Sequence, residues 1–76
     1  KNSVLFALSD KSEIFHSGKI VKLSDVSPLI NKAMKDKNKP VVIQVDKWAD
    51  ATVLTELVSE AKKVAHSVSL ATLKNR

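Results

Sequence analysis

An α+β fold, with two helices on one face of a small mixed sheet, is predicted by three features of this 76-residue sequence. The first is a nearly continuous apolar run, Val41-Val42-Ile43-Gln44-Val45, led in by Pro40 and closed by Asp46. A run of that kind suits a central strand covered on at least one face. The second is the stripe Leu54, Leu57, Val58, Ala61, Val64 and Ala65, whose three- and four-residue spacing predicts an amphipathic helix over residues 52–65. The third is a short alternating segment, Ser67-Val68-Ser69-Leu70-Ala71-Thr72. Strand, crossover helix and strand in so few residues make a parallel βαβ unit, expected to be right-handed.

The first half supplies the antiparallel part. Val4-Leu5-Phe6-Ala7-Leu8 is long enough for a strand and too short for a helix. Ser9-Asp10-Lys11-Ser12 is turn chemistry, and Glu13-Ile14-Phe15-His16 returns as a second strand, so the pair reads as a hairpin. A further turn falls at Ser17-Gly18; Gly18 is the only glycine and is expected at positive φ. The first helix carries Val26, Leu29, Ile30, Ala33 and Met34 as its apolar stripe. Its start has two readings: a cap at Ser24 with Asp25 beside the dipole, or a cap at Ser27 with Pro28 in the first turn. Its end is expected at Lys37-Asn38-Lys39-Pro40, because a residue before proline avoids the α region. The second helix is best capped by Asp50, with Thr52 as the other candidate. The expected order is β-β-α-β-α-β, one domain over residues 1–76.

A chain this short buries only about 60% of its unfolded surface, and with no cysteine it has no disulfide to compensate. Oligomerisation or attachment to a larger assembly is therefore expected. No apolar run approaches the roughly 18 residues that span a bilayer. The chain starts at Lys1 rather than methionine, which reads as a domain excised from a longer, membrane-anchored parent. The net charge is +5, and the lysines gather at helix ends: Lys32, Lys35, Lys37 and Lys39 after the first helix, Lys62 and Lys63 at the second. Helix dipoles favour cations there, so part of the bias is structural.

Catalytic patterns are missing. His16 and His66 have neither metal-ligand spacing nor cysteines, so no metal is expected and no cofactor either. A single glycine excludes the usual phosphate loops. Asp46, Asp50 and Glu56 could act as paired carboxylates, but they read better as helix caps and partners for Lys47. No nucleophile, base and orienting group can be assembled, and the chain is read as a binding module without enzyme activity. Trp48, at the joint of the central strand and second helix, either staples that joint or presents an anchor to a partner.

Several segments resemble the periplasmic domain of the ExbD/TolR family. The run Glu13-Ile14-Phe15-His16-Ser17-Gly18-Lys19-Ile20-Val21-Lys22-Leu23-Ser24-Asp25-Val26 is similar to its strand, glycine turn and helix start. Pro40 to Lys47 is similar to the family's proline-led strand with its Asp-Lys ending, and Ala61-Lys62-Lys63 with Val68 to Thr72 to its helix end and last strand. The sequence departs from the pattern at Ala65, where the family has glycine, and near Ala51 or Thr52, where the family often has an aromatic shortly after the Asp-Lys pair; ExbD and TolR stay undistinguished.

The resemblance implies the periplasmic domain of a single-pass inner-membrane protein of a Gram-negative bacterium. Its transmembrane helix, with a proton-responsive aspartate, would lie outside this chain. It further implies homodimers within an ExbB- or TolQ-type channel, proton-motive-force-coupled work through a TonB- or TolA-type protein, and peptidoglycan attachment as the TolR-like alternative. On this reading the partner-binding residues are Ser67, Val68, Ser69, Leu70, Ala71 and Thr72, where strand addition needs no conspicuous side-chain motif, together with Trp48. Proline at Ser69 should weaken association if the Ser69 amide faces the partner. Nucleic-acid binding through the lysine-rich helix ends is the rival from another class. It rests on net charge alone, and nucleic acid is not among the expected partners.

Overall fold

The computed structural model describes residues 3–34 and 39–73, which form seven elements. These are β1 (Val4–Leu8), β2 (Ile14–His16), β3 (Lys19–Val21), α1 (Leu23–Ala33), β4 (Val41–Asp46), α2 (Ala51–Lys62) and β5 (Val68–Leu73). The five strands lie in the order β3-β2-β1-β4-β5. β2 is antiparallel to β1 and to β3, whereas β4 is parallel to both β1 and β5. The predicted α+β class and the mixed sheet hold, and β4 is an interior strand, flanked by β1 and β5. Both crossovers, β3-α1-β4 and β4-α2-β5, move the same way along the sheet, with both helices in a single core. They therefore share one hand.

The element order differs from the expectation by one strand. β3 pairs with β2 across a turn in which Ser17 and Gly18 have φ of 54° and 79°. Two consecutive positive φ values are the mark of the type I′ turn, whose twist matches that of the flanking strands. Residues 19–21 thus return as a strand instead of leading directly into a helix.

Alternate residues of the strands face the helices. Val4, Phe6 and Leu8 of β1 and Val41 and Ile43 of β4 are buried against Val26, Ile30, Met34, Leu57 and Ala61. Phe6 is also stacked on His16 of the neighbouring strand, with ring centroids 4.7 Å apart, and the His16 Nδ1 lies 3.0 Å from the Leu5 carbonyl oxygen. His16 is thus held by packing and a main-chain contact. On the other face, Leu5, Val42 and Ser69 form one row and Ala7, Gln44 and Ala71 the next. No described element covers that face, where Leu5 and Ile20 remain 47% and 61% exposed.

Both proposed starts of the first helix are superseded. α1 begins at Leu23 after Lys22, and the Asp25 carboxylate accepts the Lys22 backbone N–H at 3.1 Å. Neither Ser24 nor Ser27 caps it. Pro28 lies inside the helix, where it cannot donate to the Ser24 carbonyl, and Ser24 is exposed to water. The helix also ends earlier than expected, at Ala33, whose carbonyl accepts from Lys39 Nζ at 3.1 Å. Lys35, Lys37 and Asn38 lie outside the described residues. α2 matches its predicted cap: Asp50 Oδ1 accepts from the Thr52 and Val53 backbone N–H groups at 2.7 and 3.3 Å. The Thr52 hydroxyl is not the cap, and α2 closes at Lys62 rather than at Ala65.

Candidate functional site

Of the predicted partner-binding residues, Ser67 to Thr72 are brought together along one border of the sheet. β5 pairs on one side only, with β4, in the register Val41↔Val68, Val42↔Ser69, Ile43↔Leu70, Gln44↔Ala71 and Val45↔Thr72. Among the described residues nothing pairs with its other side. Ser67 immediately precedes the strand, and its carbonyl accepts the Val41 N–H at 2.8 Å.

That single bond orients every main-chain group of the strand. In an extended chain the N–H and C=O of one residue point to the same side, and successive residues alternate. Ser67 points to β4, so Ser69 and Ala71 do as well, while Val68, Leu70 and Thr72 direct their N–H and C=O groups outward. The β1 side of β4 gives an independent check. Pro40 accepts from the Val4 N–H at 2.9 Å, which leaves Val41, Ile43 and Val45 to bond β5. The condition attached to Ser69 is therefore not met, since its amide belongs to the intrachain ladder. The donors available to a partner are those of Val68, Leu70 and Thr72.

The side chains of this edge divide by face. Val68, Leu70 and Thr72 lie on the helix side, yet the helices do not reach fully over them. Ile43 is completely buried, whereas Leu70, beside it in register, is 54% exposed. Ser69 and Ala71 lie on the open face and are exposed. The edge thus combines unpaired main-chain groups with one large exposed aliphatic side chain. It carries no charged residue from Val68 to Thr72 to discourage pairing.

Trp48 does not belong to this edge. It lies in the joint beyond the end of β4 and is 71% exposed, so it does not staple the joint. Asp46 does that work: its Oδ1 accepts the Trp48 backbone N–H at 2.9 Å, and its main-chain carbonyl accepts from Ala49 at 2.9 Å. Lys47 Nζ stands 5.4 Å from the indole centroid, a cation–π distance. Asp46 and Asp50 therefore spend their carboxylates on backbone donors. Among the described residues no three His, Asp or Glu side chains gather as metal ligands.

One grouping escaped the sequence reading. Asn31 of α1 and residues 62–66, from the end of α2 to the approach of β5, line a shallow depression of about 300 Å³. Lys62, Lys63 and His66 meet Asn31 there, although Asn31 and Lys62 are 31 positions apart in the chain. Only the parallel alignment of the two helices, invisible in spacing, joins them. Compared with models of known protein families and with curated proteins, the sequence matches none.

Proposed function

We propose that this domain is a binding module that takes up an extended protein segment, or the last strand of a second copy, alongside β5. The observation that carries the reading is the outward direction of the Val68, Leu70 and Thr72 main-chain groups on an uncharged edge strand. Strand addition draws its affinity from such groups, and exposed Leu70 offers an apolar contact to an alternate side chain of the incoming strand.

The biological setting proposed is that of the ExbD/TolR family, a periplasmic domain in a proton-motive-force-coupled inner-membrane complex. It is supported by the resemblance of residues 13–26, 40–47 and 61–72 to that family. A TonB- or TolA-type protein is then the partner that supplies the strand. The channel subunit of ExbB or TolQ type would be engaged through a transmembrane helix outside this chain.

The test is an amide shift map of the isotope-labelled domain during titration with purified TonB-type and TolA-type periplasmic proteins, and during self-dilution. Perturbations concentrated on residues 67–72 and the facing β4 residues are expected from one of these titrations. Perturbations confined to the open sheet face or the helices in all of them would overturn the reading.

A further inference from the structure

The charges of the described residues are sorted by the topology. Both helices run antiparallel to β4, so their C-termini meet at the end of the sheet where β1, β4 and β5 begin. Lys32, Lys39, Lys62 and Lys63 converge on that pole, joined by His66. The one carboxylate among them, Glu60, is engaged with Lys63 at 2.7 Å. At the opposite pole Asp10, Asp25, Asp46 and Asp50 stand around the turns and helix starts, interspersed with Lys11, Lys22 and Lys47. Helix dipoles account for each lysine of the first pole singly. They do not account for Glu60 being the one carboxylate beside them among the described residues.

We propose that the pole formed by the helix C-termini docks on an anionic lipid bilayer, with the depression lined by Asn31, Lys62, Lys63 and His66 seating a lipid phosphate. The fit is one of charge and shape. Lys32, Lys62 and Lys63, exposed on flexible stems at one end of the fold, can meet a planar negative surface together. Val64 and Ala65 in the wall of the depression give the lipid glycerol an apolar contact. Nucleic acid fits less well. Single-stranded ligands need aromatic platforms along a basic groove, and the exposed tryptophan lies at the other pole, among the carboxylates. This surface is separate from the outer side of β5 and does not depend on the function proposed for it.

The experiment is co-flotation of the purified domain with phosphatidylcholine vesicles, with and without roughly one-third phosphatidylglycerol, at low and high salt. Binding is expected only to the anionic vesicles, and should be lost near about 0.5 M salt, where screening acts within a few ångström. A Lys32→Gln, Lys62→Gln double variant should partition about 25-fold more weakly, at about fivefold per lysine. A Lys11→Gln, Lys47→Gln pair at the other pole should stay within about twofold of the parent, because surface charges act over a Debye length. All four side chains are exposed, so unchanged urea midpoints will show that both variants fold. Equal losses from the two pairs would overturn the proposal. So would complete competition by inorganic phosphate at matched phosphate concentration, which would mark a soluble-anion site. Tighter binding to duplex DNA than to the vesicles would assign the pole to nucleic acid instead.

Discussion

Proline substituted at two adjacent positions of β5 should have opposite consequences, and the difference follows from one hydrogen-bond direction. The Ser69 amide points to β4, where the register Val41↔Val68 and the Val41 N–H bond to Ser67 make the Val41 carbonyl its acceptor. Ser69→Pro removes that bond, a net loss of about 1 kcal/mol, and strands the carbonyl of a fully buried residue, which adds about 1–3 kcal/mol. The total is about 2–4 kcal/mol. A domain of this length has roughly 4–11 kcal/mol in all, at about 0.05–0.15 kcal/mol per residue. Leu70→Pro removes a donor that faces outward and a side chain already half exposed. Its cost should be about 1 kcal/mol or less, as proline is tolerated on a strand edge whose N–H faces solvent. Urea unfolding of both variants beside the parent measures the two costs directly. If the proposed function holds, Leu70→Pro also loses partner uptake while remaining folded. Equal destabilisation by the two prolines, or a larger cost at Leu70, would refute the assigned alternation.

Substitutions at three other positions probe the supports of the fold. Asp50→Ala removes the oxygen that accepts from Thr52 and Val53, and should cost about 1 kcal/mol by chemical denaturation. Trp48→Ala should leave stability within about 0.5 kcal/mol, because the ring is mostly in water; a loss several times larger would restore it as a staple of the joint. Gly18→Ala meets no atom within 4 Å, so only its φ of 79° opposes the change, and the Tm should fall by the equivalent of about 1 kcal/mol. Gly18→Asn should recover part of that loss, since asparagine tolerates the left-handed region.

The sequence made the long elements legible because their residues must satisfy burial and periodicity together. The apolar run ending at Val45 had to be covered, and it became the interior strand β4. Asp50 stood three residues before Val53 with an oxygen to give, and it caps α2. β3 was missed because three residues, with Ile20 on the open face, display no periodicity; its clue was the two-residue Ser17-Gly18 turn between extended pairs. The start of α1 was misread because short polar residues make good caps in isolation, whereas here the chain leaves β3 at Val21 and turns helical at once. Asp25 serves from within the first turn. Alternation along 67–72 revealed an edge strand and its side-chain faces. It could not reveal which amides were left for a partner, since that depends on the register with β4. Trp48 was equally undecided, because its exposure depends on the path of a joint that Asp46 ties down.

Residue-resolved amide hydrogen exchange distinguishes directly whether the outer side of β5 is the edge proposed to take up a partner strand. In the free domain the Ser69 and Ala71 amides, bonded to β4, should exchange slowly, while those of Val68, Leu70 and Thr72 exchange close to the rate of open chain. When a TonB- or TolA-type partner, or a second copy at high concentration, is bound, those three amides should become protected together. Binding that leaves them as fast as in the free domain would contradict strand addition at this edge.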